Sequence, residues 1–148
     1  MLSEAGIRHA LVGALAANAY RTRPRTTQDI DFLVGDEAFE THQGGYVTMK
    51  VPVIEFDGID VDQVPLTEAL RVIEDALTRA PVSRGVPIAP VDTIVIMKLL
   101  AGRTQDLADI EAIAGSGVDR DQLRVAVQRA APDRLAILER LFENADRG

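Results

Sequence analysis

At 148 residues the chain has the length of one domain, and 47% hydrophobic with 26% charged residues is an ordinary globular balance. Sixteen basic against 23 acidic residues give a net charge of −7, which argues against a surface that attracts nucleic acid broadly by charge. With no cysteine and only His9 and His42, disulfides, thiolate chemistry and cysteine-ligated metals are excluded, and a histidine-rich metal centre is disfavoured. The first residues lack a basic start followed by an apolar core, and no apolar run approaches the ~20 residues needed to cross a bilayer. The expected location is the cytoplasm, away from membranes.

In chain order, Ile7 to Val12 reads as a short strand ending at Gly13. Ala14 to Ala19 is small, apolar and helix-forming, suited to close packing on a sheet. Arg21 to Thr27 is a polar loop, with Pro24 disfavouring helix just before it. Asp29 to Val34 is continuously apolar after Asp31, the pattern of a central strand covered on both faces. Gly44 and Gly45 punctuate a polar stretch. Tyr46 to Phe56 is strand-like, with Pro52 marking an edge or bulge. Ile59 to Val64 alternates and reads as another strand. Thr67 is placed to cap a helix over 68–79. Val82 to Ile88 reads as a last strand, and Asp92 as the cap of an apolar helix through Lys98. Gly115 to Gly117 stop a helix, Asp119 and Gln122 resemble a capping box, and Pro132 separates two amphipathic helices. No repeat or linker is visible. One domain is expected over 1–148, with a core over about 7–113 and terminal helices over about 119–146.

The informative chemistry is acidic. Residues i and i+2 of a strand share a face, so Asp29 and Asp31 project together. Asp60 and Asp62 repeat the arrangement on a second strand. If the strands are neighbours, three carboxylates can converge. Such charges repel, and a divalent cation relieves them, with hard oxygen ligands favouring Mg²⁺ or Mn²⁺. Alone, Asp-x-Asp in so acidic a chain is better read as solvated surface than as a metal site. Position changes that, because Asp29 and Asp31 open an apolar strand where an uncompensated charge is costly.

Gly13 sits at a strand-to-helix turn, where backbone N–H groups can approach an anion. A plain turn is the simpler reading of one glycine. Arg21, Arg23 and Arg25 follow, able to hold phosphates or simply to be solvated. Farther on, a continuous helix would set Lys98, Gly102, Gln105 and Asp109 on one face. It would leave Arg103 on the apolar face, with Asp106 as its partner. Alternatively Gly102-Arg103 ends one helix and Thr104 caps the next. Arg103 and Asp106 are equally well structural or catalytic, and Lys98 is better placed to reach a phosphate.

Together these residues resemble the minimal polymerase-beta-like nucleotidyltransferases, and within them the AbiEii/AbiGii toxin type of type IV toxin–antitoxin systems. The resemblance rests on Gly13-Ala14, Arg25 through Asp31, Asp62 in Ile59-Asp60-Val61-Asp62, and Lys98 through Asp109, spanning about Ile7 to Ile113. It implies an α+β nucleotidyltransferase fold: a mixed sheet flanked by helices, with a helical C-terminus. It further implies that Asp29, Asp31 and Asp62 bind Mg²⁺ carrying an NTP such as ATP, with Asp62 also helping to activate an acceptor hydroxyl. Gly13, Ala14, Arg25, Thr27 and Lys98 would contact the nucleotide. The expected acceptor is a tRNA or a protein, and an antitoxin is the expected partner of a toxin. Two departures stand out: Ala14 replaces the usual Gly or Ser, and the segment from Asp31 to Asp60 is short. They leave open a nucleotidyltransferase-fold binding module without activity, and a metal-dependent phosphohydrolase is a further reading.

Overall fold

The structure is a computed structural model that describes residues 2–148. In chain order its elements are β1 (His9–Val12), α1 (Gly13–Ala17), β2 (Ile30–Val34), β3 (Phe39–Thr41), β4 (Val47–Met49), β5 (Glu55–Phe56) and β6 (Ile59–Val64). Then come α2 (Ala76–Arg79), β7 (Val82–Ser83), β8 (Val86–Pro87), α3 (Val91–Ala101), α4 (Thr104–Ala114), α5 (Arg120–Ala130) and α6 (Leu135–Arg147). The architecture is a mixed α+β one. The chain divides into two compact units, one holding the chain up to Gly13 with Gln28–Ala89, the other Ala14–Thr27 with Pro90–Gly148.

The first unit is built on a four-stranded mixed sheet in the order β1-β2-β6-β5. β1 runs antiparallel to β2, β2 parallel to β6, and β6 antiparallel to β5. The apolar run after Asp31 explains the central place of β2, since Leu33 and Val34 are fully buried. Leu2, Ile7, Val34 and Ala38 form a core cluster, with Phe32, Phe39, Val51 and Ile54 packed against it. The stretch from Tyr46 to Phe56 is not one strand. β4 pairs with β3 in a separate hairpin, β5 joins the main sheet, and Pro52, which has no N–H to donate, lies in the break. The segment 68–79 is likewise divided, into a 3-10 stretch over Glu68–Ile73 and the short α2. Thr67 makes no side-chain cap there. Val82 to Ile88 folds back as a β7–β8 hairpin, whose turn residues Arg84 and Gly85 both have positive φ, as a tight type I′ turn requires.

The second unit is helical. α3 packs on α4 and α5, and α4 packs on α6. α3 is apolar nearly all round and buries Ile94, Val95, Ile96 and Leu99. α6 presents Leu138, Leu141 and Phe142, an i, i+3, i+4 stripe. Asp119 caps α5 as its spacing suggests, accepting from the Gln122 backbone N–H at 3.1 Å. Pro132 opens a 3-10 turn between α5 and α6. Asp92 is not the cap of α3. It lies in the first turn, where its Oδ1 accepts from the Thr93 N–H at 2.9 Å. Among the described residues no helix is long and apolar enough to cross a membrane.

One helix over 98–109 does not form. α3 ends at Ala101, and Gly102 adopts φ +67° while donating its N–H to the Lys98 carbonyl at 2.9 Å. That left-handed cap is cheap only for glycine. Arg103, not Thr104, then occupies the N-cap position of α4. The Asp106 carboxylate reaches back to accept from the Arg103 N–H at 3.3 Å.

Candidate functional site

Two strands of the first unit bring acids together. In the parallel β2–β6 ladder Asp31 lies directly opposite Asp62, so both side chains share one face of the sheet. Neighbouring strands lie about 4.7–4.9 Å apart, so directly opposed side chains start from about that spacing. Like charges so placed destabilise a sheet, and Asp31 is half-buried while Asp62 is exposed. A second like pair, Glu55 opposite Asp60, follows where β5 meets β6. Asp29 precedes β2 by one residue and is exposed. Among the described residues no three His, Cys, Asp or Glu side chains are grouped so as to hold a metal ion by themselves. Two carboxylates are nevertheless a sufficient protein share for Mg²⁺, which is commonly bound by one or two carboxylates plus substrate phosphates.

Gly13 belongs to the same place. It follows Val12, which pairs with Asp31, and its φ is +74°. A Cβ on Gly13 would sit 2.5 Å from Asp31 Oδ2. Glycine is therefore required twice, by conformation and by the carboxylate against it. α1 has only five residues, so its macrodipole is small. Whatever anion affinity the turn has comes from individual N–H groups.

The other predicted nucleotide contacts, Ala14, Arg25, Thr27 and Lys98, belong to the second unit. There the organising group is Asp109, which is fully buried. Its Oδ1 accepts from Arg21 Nη1 at 2.7 Å and Arg25 Nε at 2.8 Å. Its Oδ2 accepts from Arg25 Nη2 at 2.9 Å and Lys98 Nζ at 2.8 Å. Burial alone would raise the Asp109 pKa, but hydrogen bonds from Arg25 and Lys98 outweigh it and bring the value down to about 2. Lys98 is itself 5% exposed, and its ammonium also lies 3.4 Å from Asp106 Oδ1. Asp106 is the partner of Arg103, at 2.7 Å between Oδ2 and Nε. Burial opposes that ionisation as well, and the Arg103 hydrogen bond prevails to lower the Asp106 pKa. Arg25 is tied down further by Asn18, which accepts from the Arg25 N–H at 3.0 Å and donates to the Arg25 carbonyl at 2.8 Å. Ala14 and Thr27 are half-buried.

Sequence reasoning paired Arg103 with Asp106 correctly and gave Asp109 no role beyond a helix face. The signal was present, because Asp109 is an acid directly before the core residue Ile110, where a charge needs partners. It also passed over Gln63, whose amide donates to the Val51 carbonyl at 2.6 Å and whose Oε1 is buried with no hydrogen-bond partner.

No protein-family model and no curated protein matches the chain. Among solved structures it is similar to an antigenic nucleotidyltransferase-like protein from Paracoccidioides brasiliensis. The likeness covers 93% of this chain and 87% of that one, at 17% identity and a TM-score of 0.48. At that score it assigns neither a family nor an activity.

Proposed function

We propose that the chain is a Mg²⁺-dependent nucleotidyltransferase that moves a nucleoside monophosphate from an NTP to an acceptor hydroxyl. The observation that carries the reading is the Asp31–Asp62 pair, two carboxylates in direct register on neighbouring strands, with Gly13 held against one of them. Two carboxylates so opposed repel each other, and a divalent cation between them would relieve that repulsion, which supports a binding site there. The donor set suits a hard divalent cation, with Asp31 and Asp62 as its protein ligands, while a metal role for Asp29 rests on the family resemblance. When bound, the cation would neutralise phosphate charge and orient the α-phosphate. The chain's own groups do the rest. The Gly13 N–H is available to a terminal phosphate oxygen. The Asp62 carboxylate takes the acceptor's hydroxyl proton as its oxygen bonds the α-phosphorus, and pyrophosphate leaves with the broken phosphoanhydride bond. Phosphate-binding roles for Ala14, Arg25, Thr27 and Lys98 rest on the family resemblance alone.

Incubation with α-labelled NTPs, Mg²⁺ and candidate RNA or protein acceptors should give transfer that Asp29→Ala and Asp31→Asn abolish. Full activity of both variants would overturn the reading. One observation favours an inactive nucleotide-binding module instead: Lys98, expected near phosphates, is buried in ion pairs with Asp106 and Asp109. Nucleotide binding without transfer to any acceptor identifies that case. A toxin role with a cognate antitoxin extends the main reading. Its test is growth arrest on expression that Asp31→Asn relieves.

A further inference from the structure

The β5 end of the first unit's sheet has two unlike faces. Side chains alternate along β6, so Ile59 and Val61 lie on one face and Asp60 and Asp62 on the other. In β5, Phe56 stands opposite Ile59 and Glu55 opposite Asp60. In β2, Ile30 stands opposite Val61 and Asp31 opposite Asp62. One face therefore carries Phe56, Ile59, Val61 and Ile30, and the other carries Glu55, Asp60, Asp62 and Asp31. The apolar face continues through Phe32 and Ile54, which pack against the core cluster around Val34. At the hairpin end it lies open, with Phe56 68% exposed and Ile59 39%. Single exposed apolar side chains are ordinary, but a run of neighbours that prolongs a core marks an interaction surface.

β5 is also an open edge of that sheet. The Ile54 carbonyl accepts from the Val61 N–H at 2.8 Å, so the alternation of an antiparallel ladder turns the Glu55 N–H and C=O away from β6. We infer that this edge takes up an extended polypeptide segment in which apolar and basic residues alternate. A strand laid along β5 sends successive side chains to the same two faces. Its apolar residues continue the surface of Phe56 and Ile59. Its Lys or Arg residues meet Glu55 and Asp60, which are exposed, on the other side. Charge selects this occupant. Residues 51–70 hold five acids and no base, so the edge attracts a cationic segment. A second copy paired edge to edge sets two such acidic strands against each other, which opposes self-association. The edge is short, with Pro52 before it and the Asp57-Gly58 turn, both residues at positive φ, after it. Backbone bonds are therefore few, and the exposed aromatic ring of Phe56 is the anchor. None of this depends on nucleotidyl transfer.

The test is fluorescence anisotropy of short capped peptides with the whole chain, at low ionic strength and in EDTA. One peptide alternates Val and Lys, a second has the same composition in two blocks, and a third alternates Val and Glu. The first should bind at least about tenfold more tightly than the other two. Phe56→Ser and Glu55→Lys, both at exposed positions, should each weaken its binding at least about tenfold while melting as the wild type does. Val82→Ser, at an equally exposed apolar position of the β7–β8 hairpin, should leave it unchanged. Equal binding of the block peptide reduces the contact to charge and overturns the inference. So does full affinity in a folded Phe56→Ser or Glu55→Lys variant, or binding of none of the peptides. Sedimentation that shows a dimer dissolved by Phe56→Ser assigns the face to a second copy and overturns it as well.

Discussion

Replacing Asp62 with Asn removes one of two like charges held opposite each other while keeping the side chain's shape. At about 5 Å the repulsion is about 1 kcal/mol in a water-like dielectric and about 3 kcal/mol at an effective dielectric of 20. Asp62 is exposed and Asp31 only half-buried, so the lower figure governs. In metal-free buffer Asp62→Asn should therefore stabilise the fold by about 0.5–1 kcal/mol, raising Tm by about 1–4 °C for a chain of this size. Mg²⁺ reverses the order. At tenfold above its dissociation constant the ion adds about 1.4 kcal/mol to the wild type, and much less to a variant that has lost a ligand. The assay is urea unfolding of both proteins in EDTA and across a Mg²⁺ series. A variant less stable than wild type in EDTA, or equal Mg²⁺ stabilisation of the two, refutes the reasoning.

Gly13→Ala should lower stability by more than about 1–2 kcal/mol, because it combines a left-handed conformation with a clash against Asp31 Oδ2. Part of that loss should return in the double variant with Asp31→Ala. A urea double-mutant cycle that is purely additive would contradict the close approach. Asp109→Asn leaves Arg21, Arg25 and Lys98 without their shared carboxylate and should destabilise by about 3–5 kcal/mol, read from the unfolding midpoint. The Asp109 pKa is about 2 when folded against an ordinary 3.8, so its contribution is fully present above about pH 4. It is lost as pH falls through the folded value, and it amounts to about 2–3 kcal/mol. Unfolding measured between pH 5 and 2 should show that loss in the wild type, and a shallower acid limb in Asp109→Asn. Parallel limbs would contradict it.

The strands that matter most were legible because their patterns are local. The apolar run of Phe32 to Val34 behind Asp29 and Asp31, and the alternation of Ile59 to Val64, give β2 and β6 almost to the residue. Their pairing is not local. Only the structure shows that β6, not the nearer β3 or β4, lies beside β2, and that the register sets Asp31 against Asp62. Where local signals conflicted, the breaker won. Pro52 divided one expected strand, and at Gly102 the second of the two open readings, one helix ending and another beginning, is the one that forms. The Lys98–Asp109 relation survived that break for a different reason. The two residues meet across α3 and α4 as a buried ion pair rather than along one helix face. The need of Asp109 for partners was legible from its place before Ile110, but not which they are, because its cations come from positions 21, 25 and 98 and such convergence belongs to tertiary packing.

The central claim is that the Asp31–Asp62 rung binds a divalent cation together with an NTP. Titration calorimetry of the whole chain with ATP, GTP, CTP and UTP, each with Mg²⁺ and with EDTA, tests it most directly. Binding of at least one NTP is expected only when Mg²⁺ is present, and it should be lost in a folded Asp31→Asn variant. Binding that is indifferent to Mg²⁺, or retained in full by that variant, would contradict it.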